Sequence, residues 1–102
     1  MTTRHLTVKH WNEFQHYKDR NPPWIKLHRA VLDDYRFLAL PDASKGHLML
    51  LWLFASQNGG MVPYDIPFLE RRLFIIGLNL DRLIADGFLL DAQDASTSRA
   101  GG

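Results

Sequence analysis

From Leu48 to Ala55 every residue is apolar, and this is the longest such run in the chain. Leu40-Pro41-Asp42 precedes it and Asn58-Gly59-Gly60 follows it. A proline beside a helix start and an acid in the first turn suit the helix dipole, and glycines end helices. The spacing predicts a central helix over residues 42–57, and a helix with no polar face must be enclosed by its neighbours. Gly46 inside it costs about 1 kcal/mol relative to alanine, which predicts a close backbone contact there. The apolar run is well short of the roughly 20 residues of a membrane-spanning helix. Met1–Trp11, with Arg4, His5, Lys9 and His10, lacks the apolar stretch of a signal peptide. A soluble, cytoplasmic protein with no membrane partner is expected.

The neighbours that must cover this helix are short. Residues 4–10 alternate, with Leu6 and Val8 on one side and Thr7 and Lys9 on the other, as in a strand. Trp11 to Tyr17 suits a helical turn. Asn21-Pro22-Pro23 breaks the chain, and Pro23 can open a helix in which Trp24, Leu27, Val31, Leu32 and Tyr35 share a face, ending near Asp34. After a minimal strand at Met61-Val62-Pro63, Asp65 caps a helix with Ile66, Phe68, Leu69 and Leu73 inward and Glu70, Arg71 and Arg72 outward. Ile75-Ile76-Gly77 makes a turn. Asn79 then caps a helix from Leu80 to Asp86, with Leu80, Leu83 and Ile84 inward and Gly87 as its left-handed terminator. Phe88–Leu90 reads as a strand.

A chain of 102 residues makes one domain, burying roughly 60–70% of the surface its unfolded form exposes. Residues 1–91 form that domain, with an N-terminal strand or extension, and the polar residues 92–102 form a flexible tail. The 46% apolar and 23% charged fractions are those of a globular protein, not of a disordered chain or a coiled coil. Cysteine is absent, which excludes a disulfide framework and thiolate metal sites and fits a reducing compartment.

The order helix, short strand, helix, turn, helix, strand is that of a winged helix-turn-helix: an α+β fold, mostly α, with a small β-sheet. Its helix pair falls at 65–73 and 79–86, and the second helix of such a pair is the one placed in a DNA major groove.

Four segments carry a family resemblance: Trp24-Ile25-Lys26-Leu27-His28, Asp33-Asp34-Tyr35-Arg36-Phe37, Leu51-Trp52-Leu53-Phe54-Ala55 and Leu83-Ile84-Ala85-Asp86-Gly87-Phe88-Leu89. Over residues 4–90 the chain resembles the N-terminal winged-helix domain of bacteriophage and prophage replication proteins, of the initiator or replisome-organiser type. Phe14–Arg20 is similar to a group of short phage proteins with the same core. The resemblance implies DNA binding followed by recruitment of a helicase loader or helicase. Initiators usually carry a second domain, which this chain stops before, and no return strand completes a wing. A stand-alone DNA-binding or regulatory role is the expectation.

Charge points to two surfaces. Residues 1–40 carry seven Lys/Arg against four acids, and residues 41–102 carry five against seven. Within the first segment residues 4–29 hold Arg4, Lys9, Lys18, Arg20, Lys26 and Arg29 against Glu13 and Asp19; these cations can neutralise phosphates, and the interleaved Trp11, Phe14, Tyr17 and Trp24 can stack on bases where exposed. Ordinary surface charges and core aromatics give the same pattern. On the second surface the helix 79–86 holds Asp81, Arg82 and Asp86, a negative balance that repels phosphate. There Arg82 can read guanine and Asn79 adenine, while Arg71 and Arg72 on the preceding helix suit phosphates.

None of the five histidines, His5, His10, His16, His28 and His47, stands in the close pairing of a zinc site, so no metal or other cofactor is expected. The serines lie in no nucleophile elbow and no glycine-rich phosphate loop occurs; no enzymatic activity is expected. Asp33-Asp34 reads as a solvated helix end.

The expected partner is double-stranded DNA, contacted by Lys18, Arg20, Lys26, Arg29, Arg71, Arg72, Asn79 and Arg82. The alternative is a non-catalytic adaptor or inhibitor that uses the same fold on a host or phage replication protein or a defence complex. The near-neutral charge and the acidic last helix favour that alternative. An open edge at Phe88–Leu90 would permit a homodimer.

Overall fold

The computed structural model describes residues 4–9, 24, 25 and 27–91. Strand β1, His5–Val8, turns Leu6 and Val8 into the core by the two-residue period of a strand. It pairs antiparallel with β2, Met61–Pro63, setting Leu6 opposite Val62. On its other side it pairs antiparallel with β3, Leu89–Asp91, setting Val8 opposite Leu89. The sheet order is β2-β1-β3, so the N-terminal strand is the middle one. Among the described residues no strand follows β3.

Five helical segments among the described residues complete an α+β fold of winged-helix type. They are a 3-10 turn at Arg29–Asp33, α1 at Tyr35–Leu38, α2 at Asp42–Ser56, α3 at Ile66–Leu73 and α4 at Leu80–Ala85. Helix α2 lies against β1 and β2. Its buried residues Ser44, His47, Leu48, Leu51 and Ala55 form one stripe at helical spacing. Of these, Leu48, Leu51 and Ala55 join Leu6, Val62, Leu69, Leu80, Leu83 and Leu89 in one contiguous core. Each fully buried leucine there stabilises the fold by roughly 1.5–3 kcal/mol relative to exposure.

The central helix ends one residue earlier than expected, and it is not enclosed on all sides. Leu53 is 49% exposed. Trp52 and Phe54 are half-buried instead, each shielded by one aromatic ring: Phe37 stacks on Trp52 at 6.3 Å and Phe68 meets Phe54 edge-on at 6.2 Å. Phe68 is therefore at the surface edge, not inward as expected, and Glu70 is drawn partly inward to accept from Leu78 N–H at 3.0 Å. Gly46 has no atom within 4 Å of where a Cβ would stand, so the expected close backbone contact is absent.

The expected helix over Trp24–Asp34 does not form. His28 Nδ1 accepts from Ala30 N–H at 3.1 Å and starts the short 3-10 turn. Asp34 Oδ1 accepts from Arg36 and Phe37 N–H and starts α1. Two local caps thus divide the segment, because short polar side chains compete with a continuous helix for backbone donors. Trp24, Leu27, Leu32 and Tyr35 are exposed, and of the expected apolar face only Val31 packs on the core.

At the end of α2, Asn58 and Gly60 N–H both donate to Ala55 C=O at 2.8 Å. Gly59 and Gly60 take φ of 63° and 86°, left-handed values that let the chain reverse directly into β2. The expected helical turn at 11–17 and the polar tail at 92–102 lie outside the described residues. No described helix is long and apolar enough to cross a membrane.

Candidate nucleic-acid interface

The pair α3–α4 is positioned by local hydrogen bonds as its sequence predicts. Asp65 Oδ1 accepts from Phe68 N–H at 3.1 Å and caps α3. Asn79 Oδ1 accepts from Arg82 N–H at 3.0 Å and caps α4. Between the helices Phe74 takes φ 57° as the left-handed terminator of α3, a place glycine usually holds. Its ring is 95% exposed and Ile76 beside it is 87% exposed. The tip of the turn is therefore an apolar knuckle, flanked by the exposed Arg71 and Arg72 in the last turn of α3.

Helix α4 turns its polar side chains to internal partners. Besides the Asn79 cap, Arg82 Nε pairs with Asp86 Oδ2 at 2.7 Å, and its Nη2 approaches Ala39 C=O at 3.4 Å. Asp81 Oδ1 accepts from the Tyr64 hydroxyl at 2.7 Å. The two side chains proposed to read bases thus hold α4 together and anchor it to the end of α1. Arg29 is exposed on the 3-10 turn. Lys18, Arg20 and Lys26 lie outside the described residues.

A second network fixes one end of the sheet. Arg4 Nε pairs with Asp91 Oδ2 at 2.6 Å, and the guanidinium lies 4.4 Å from the centre of the Tyr64 ring. The hydrogen bond to Asp91 is the main reason that the Arg4 pKa lies above its ordinary value, with burial opposing it. The hydrogen bond to Asp81 does the same for the Tyr64 phenol; desolvation and the Asp81 charge add to it, and Arg4 opposes.

Acids and bases are engaged in different ways, the acids largely by hydrogen bonds to the fold. Asp34 and Asp65 cap helices, and Glu70 binds the Leu78 amide. Asp81, Asp86 and Asp91 hold Tyr64, Arg82 and Arg4, and Asp42 meets Lys45 at 3.5 Å. Lys9, Arg29, Arg36, Arg71 and Arg72 have no carboxylate partner among the described residues. Of the described acids Asp33 is engaged by neither an ion pair nor a hydrogen bond, and Asp34, Asp65, Glu70 and Asp81 accept hydrogen bonds but have no ion-pair partner.

The sequence counts Lys9 among the N-terminal cations but does not single out Arg36 or the pairing of the two. Their side chains converge, with Arg36 Nη1 3.3 Å and Lys9 Nζ 3.8 Å from the position a Cβ would take on Gly87. Among the described residues no three His, Cys, Asp or Glu side chains gather as metal ligands. Compared with family models, curated proteins and solved structures, the chain matches none.

Proposed function

We propose that the chain is a small phage-type winged-helix protein that binds double-stranded DNA, acting in replication or transcription regulation in the cytoplasm of a host cell. The observation that carries this reading is a set of cations, Lys9, Arg29, Arg36, Arg71 and Arg72, that have no carboxylate partner among the described residues and so can meet an external anion. Phosphate neutralisation by such cations releases counterions and supplies most sequence-independent affinity. With Asn79 and Arg82 bound internally, this reading favours phosphate contact through α3 over deep groove insertion of α4. An electrophoretic shift with duplex DNA at about 50 mM salt, where phosphate contacts are strongest, tests it. A shift that weakens with added salt supports the proposal, and no shift with any duplex overturns it.

One observation favours a second reading, a non-catalytic adaptor or inhibitor acting on a host replication or defence complex. Phe74 and Ile76 expose large apolar surfaces side by side, and exposed apolar clusters mark protein contacts. A stoichiometric partner that survives nuclease treatment, and that Phe74→Gly with Ile76→Ser releases, would support the adaptor. A partner lost on nuclease treatment would support DNA.

A further inference from the structure

We infer that Lys9 and Arg36 form a phosphate clamp over Gly87, engaging a single phosphate group of the duplex backbone; the choice of DNA as its source rests on the function proposed above. Three independent parts of the chain build the site. Lys9 N–H donates to Phe88 C=O at 3.1 Å, which fixes the end of β1 beside the α4–β3 turn. Arg36 stands on α1, which Asp34 caps and which Arg82 Nη2 touches at Ala39. Gly87, with φ 85°, supplies the gap between the two cations. A side chain at 87 would begin 3.3 Å from Arg36 Nη1.

Lys9 and Arg36 bring two like charges to one point, and the C-terminal end of α4 beside them offers only a partial negative charge against their repulsion. Asp86, the nearest acid in sequence, is held by Arg82 and makes no ion pair with either cation. The cations are not needed to close α4 either. Asp86, Gly87 and Phe88 N–H already donate to the carbonyls of Arg82, Ile84 and Leu83, which satisfies that helix end. An anion between Lys9 and Arg36 would turn the repulsion into two attractions. A phosphate oxygen pair suits the planar arginine fork, with the lysine as a point charge beside it.

The test has two arms. In the first, the full chain is titrated with inorganic phosphate against sodium chloride of equal ionic strength, following the Gly87 and Phe88 amide resonances by NMR. A saturable shift seen with phosphate and lost in K9Q/R36Q is expected. No saturable shift, or an undiminished one in the variant, overturns the clamp. In the second arm, duplex binding is measured against salt. Two cations on one phosphate predict that K9Q/R36Q lowers the slope of log K against log salt by about one, not two, and that each single variant, whose remaining cation still meets the phosphate, lowers it by less than that. A wild-type protein that binds duplex with a slope unchanged in the variant overturns the assignment to the DNA backbone while leaving DNA binding intact. A protein that binds no duplex, yet shows the phosphate shift, overturns DNA binding and assigns the clamp to a free phosphate ligand. Equal thermal midpoints for wild type and variant verify that the fold is kept.

Discussion

The Tyr64 hydroxyl donates a 2.7 Å hydrogen bond to Asp81, joining the residue after β2 to the first turn of α4. That contact raises the phenol pKa in the fold, chiefly through the hydrogen bond itself. An unfolded tyrosine titrates near about pH 10. Because the folded value is higher, the stabilisation is fully present below the unfolded pKa and is lost as pH rises through the folded one. Denaturant midpoints measured from neutral pH into the alkaline range should fall more steeply in the wild type than in Tyr64→Phe, which has no proton to lose. Parallel pH profiles for the two proteins would show that Tyr64 does not couple to folding.

Gly46 sits exposed inside α2 with no atom within 4 Å of a Cβ placed there. Nothing in the fold benefits from its missing side chain, and glycine in a helix costs about 1 kcal/mol relative to alanine. Gly46→Ala should therefore stabilise by about that amount, raising the thermal midpoint by roughly 4–8 °C for a domain of this size. A lowered midpoint would mean that a partner, not the fold, requires glycine.

Asp65, Asn79 and Gly87 act within a few positions of themselves, and their caps and turns were legible in the sequence for that reason. Helix α2 was legible too, because proline, an acid and two glycines bound it closely. The segment from Trp24 to Asp34 was not: its apolar spacing is helical, but His28 and Asp34 hold the backbone locally and leave Leu27 and Leu32 in solvent. Nor could spacing show that β1 lies between β2 and β3, because strand pairing is decided by partners far away in sequence. The meeting of Lys9 and Arg36 at Gly87 depends on that pairing, so of the candidate interface Arg29, Arg71, Arg72 and the charge of Lys9 were apparent beforehand, but not Arg36 or its approach to Lys9.

Asn79 gives a way to separate a structural from a recognition role. Its side-chain oxygen caps α4 through Arg82 N–H, so Asn79→Ala should destabilise by about 1 kcal/mol. Serine is an equally good cap and lacks the amide, so Asn79→Ser should leave the denaturation midpoint within a few tenths of a kcal/mol of wild type. Should Asn79→Ser nonetheless weaken binding to one duplex sequence and not to others, Asn79 reads a base. Uniform affinity across sequences would confine it to capping.

Phe74 combines a left-handed backbone with a ring almost wholly in water. The backbone conformation costs a non-glycine residue roughly 1–2 kcal/mol, and the exposed ring regains little of it. Phe74→Gly should raise stability by about 1 kcal/mol, as expected of a glycine at the end of a helix. A destabilised variant in urea denaturation would show that the ring packs more than its exposure implies. A stabilised variant that loses a protein partner would show that the strain is kept for contact, as at other functional sites.

Arg71 and Arg72 occupy the last turn of α3 and are exposed with no carboxylate partner. Within the fold their only evident benefit is with the C-terminal end of the helix dipole, worth roughly 0.3–1 kcal/mol each at low salt. Arg71→Gln with Arg72→Gln should therefore shift the thermal midpoint by only a few degrees. On DNA the same pair would neutralise separate phosphates, since adjacent helical positions point in different directions. The double variant should then lower the slope of log K against log salt by about two, with a loss of affinity similar for every duplex sequence. An unchanged slope would remove α3 from the DNA surface, and a loss confined to one sequence would mean that an arginine reads bases.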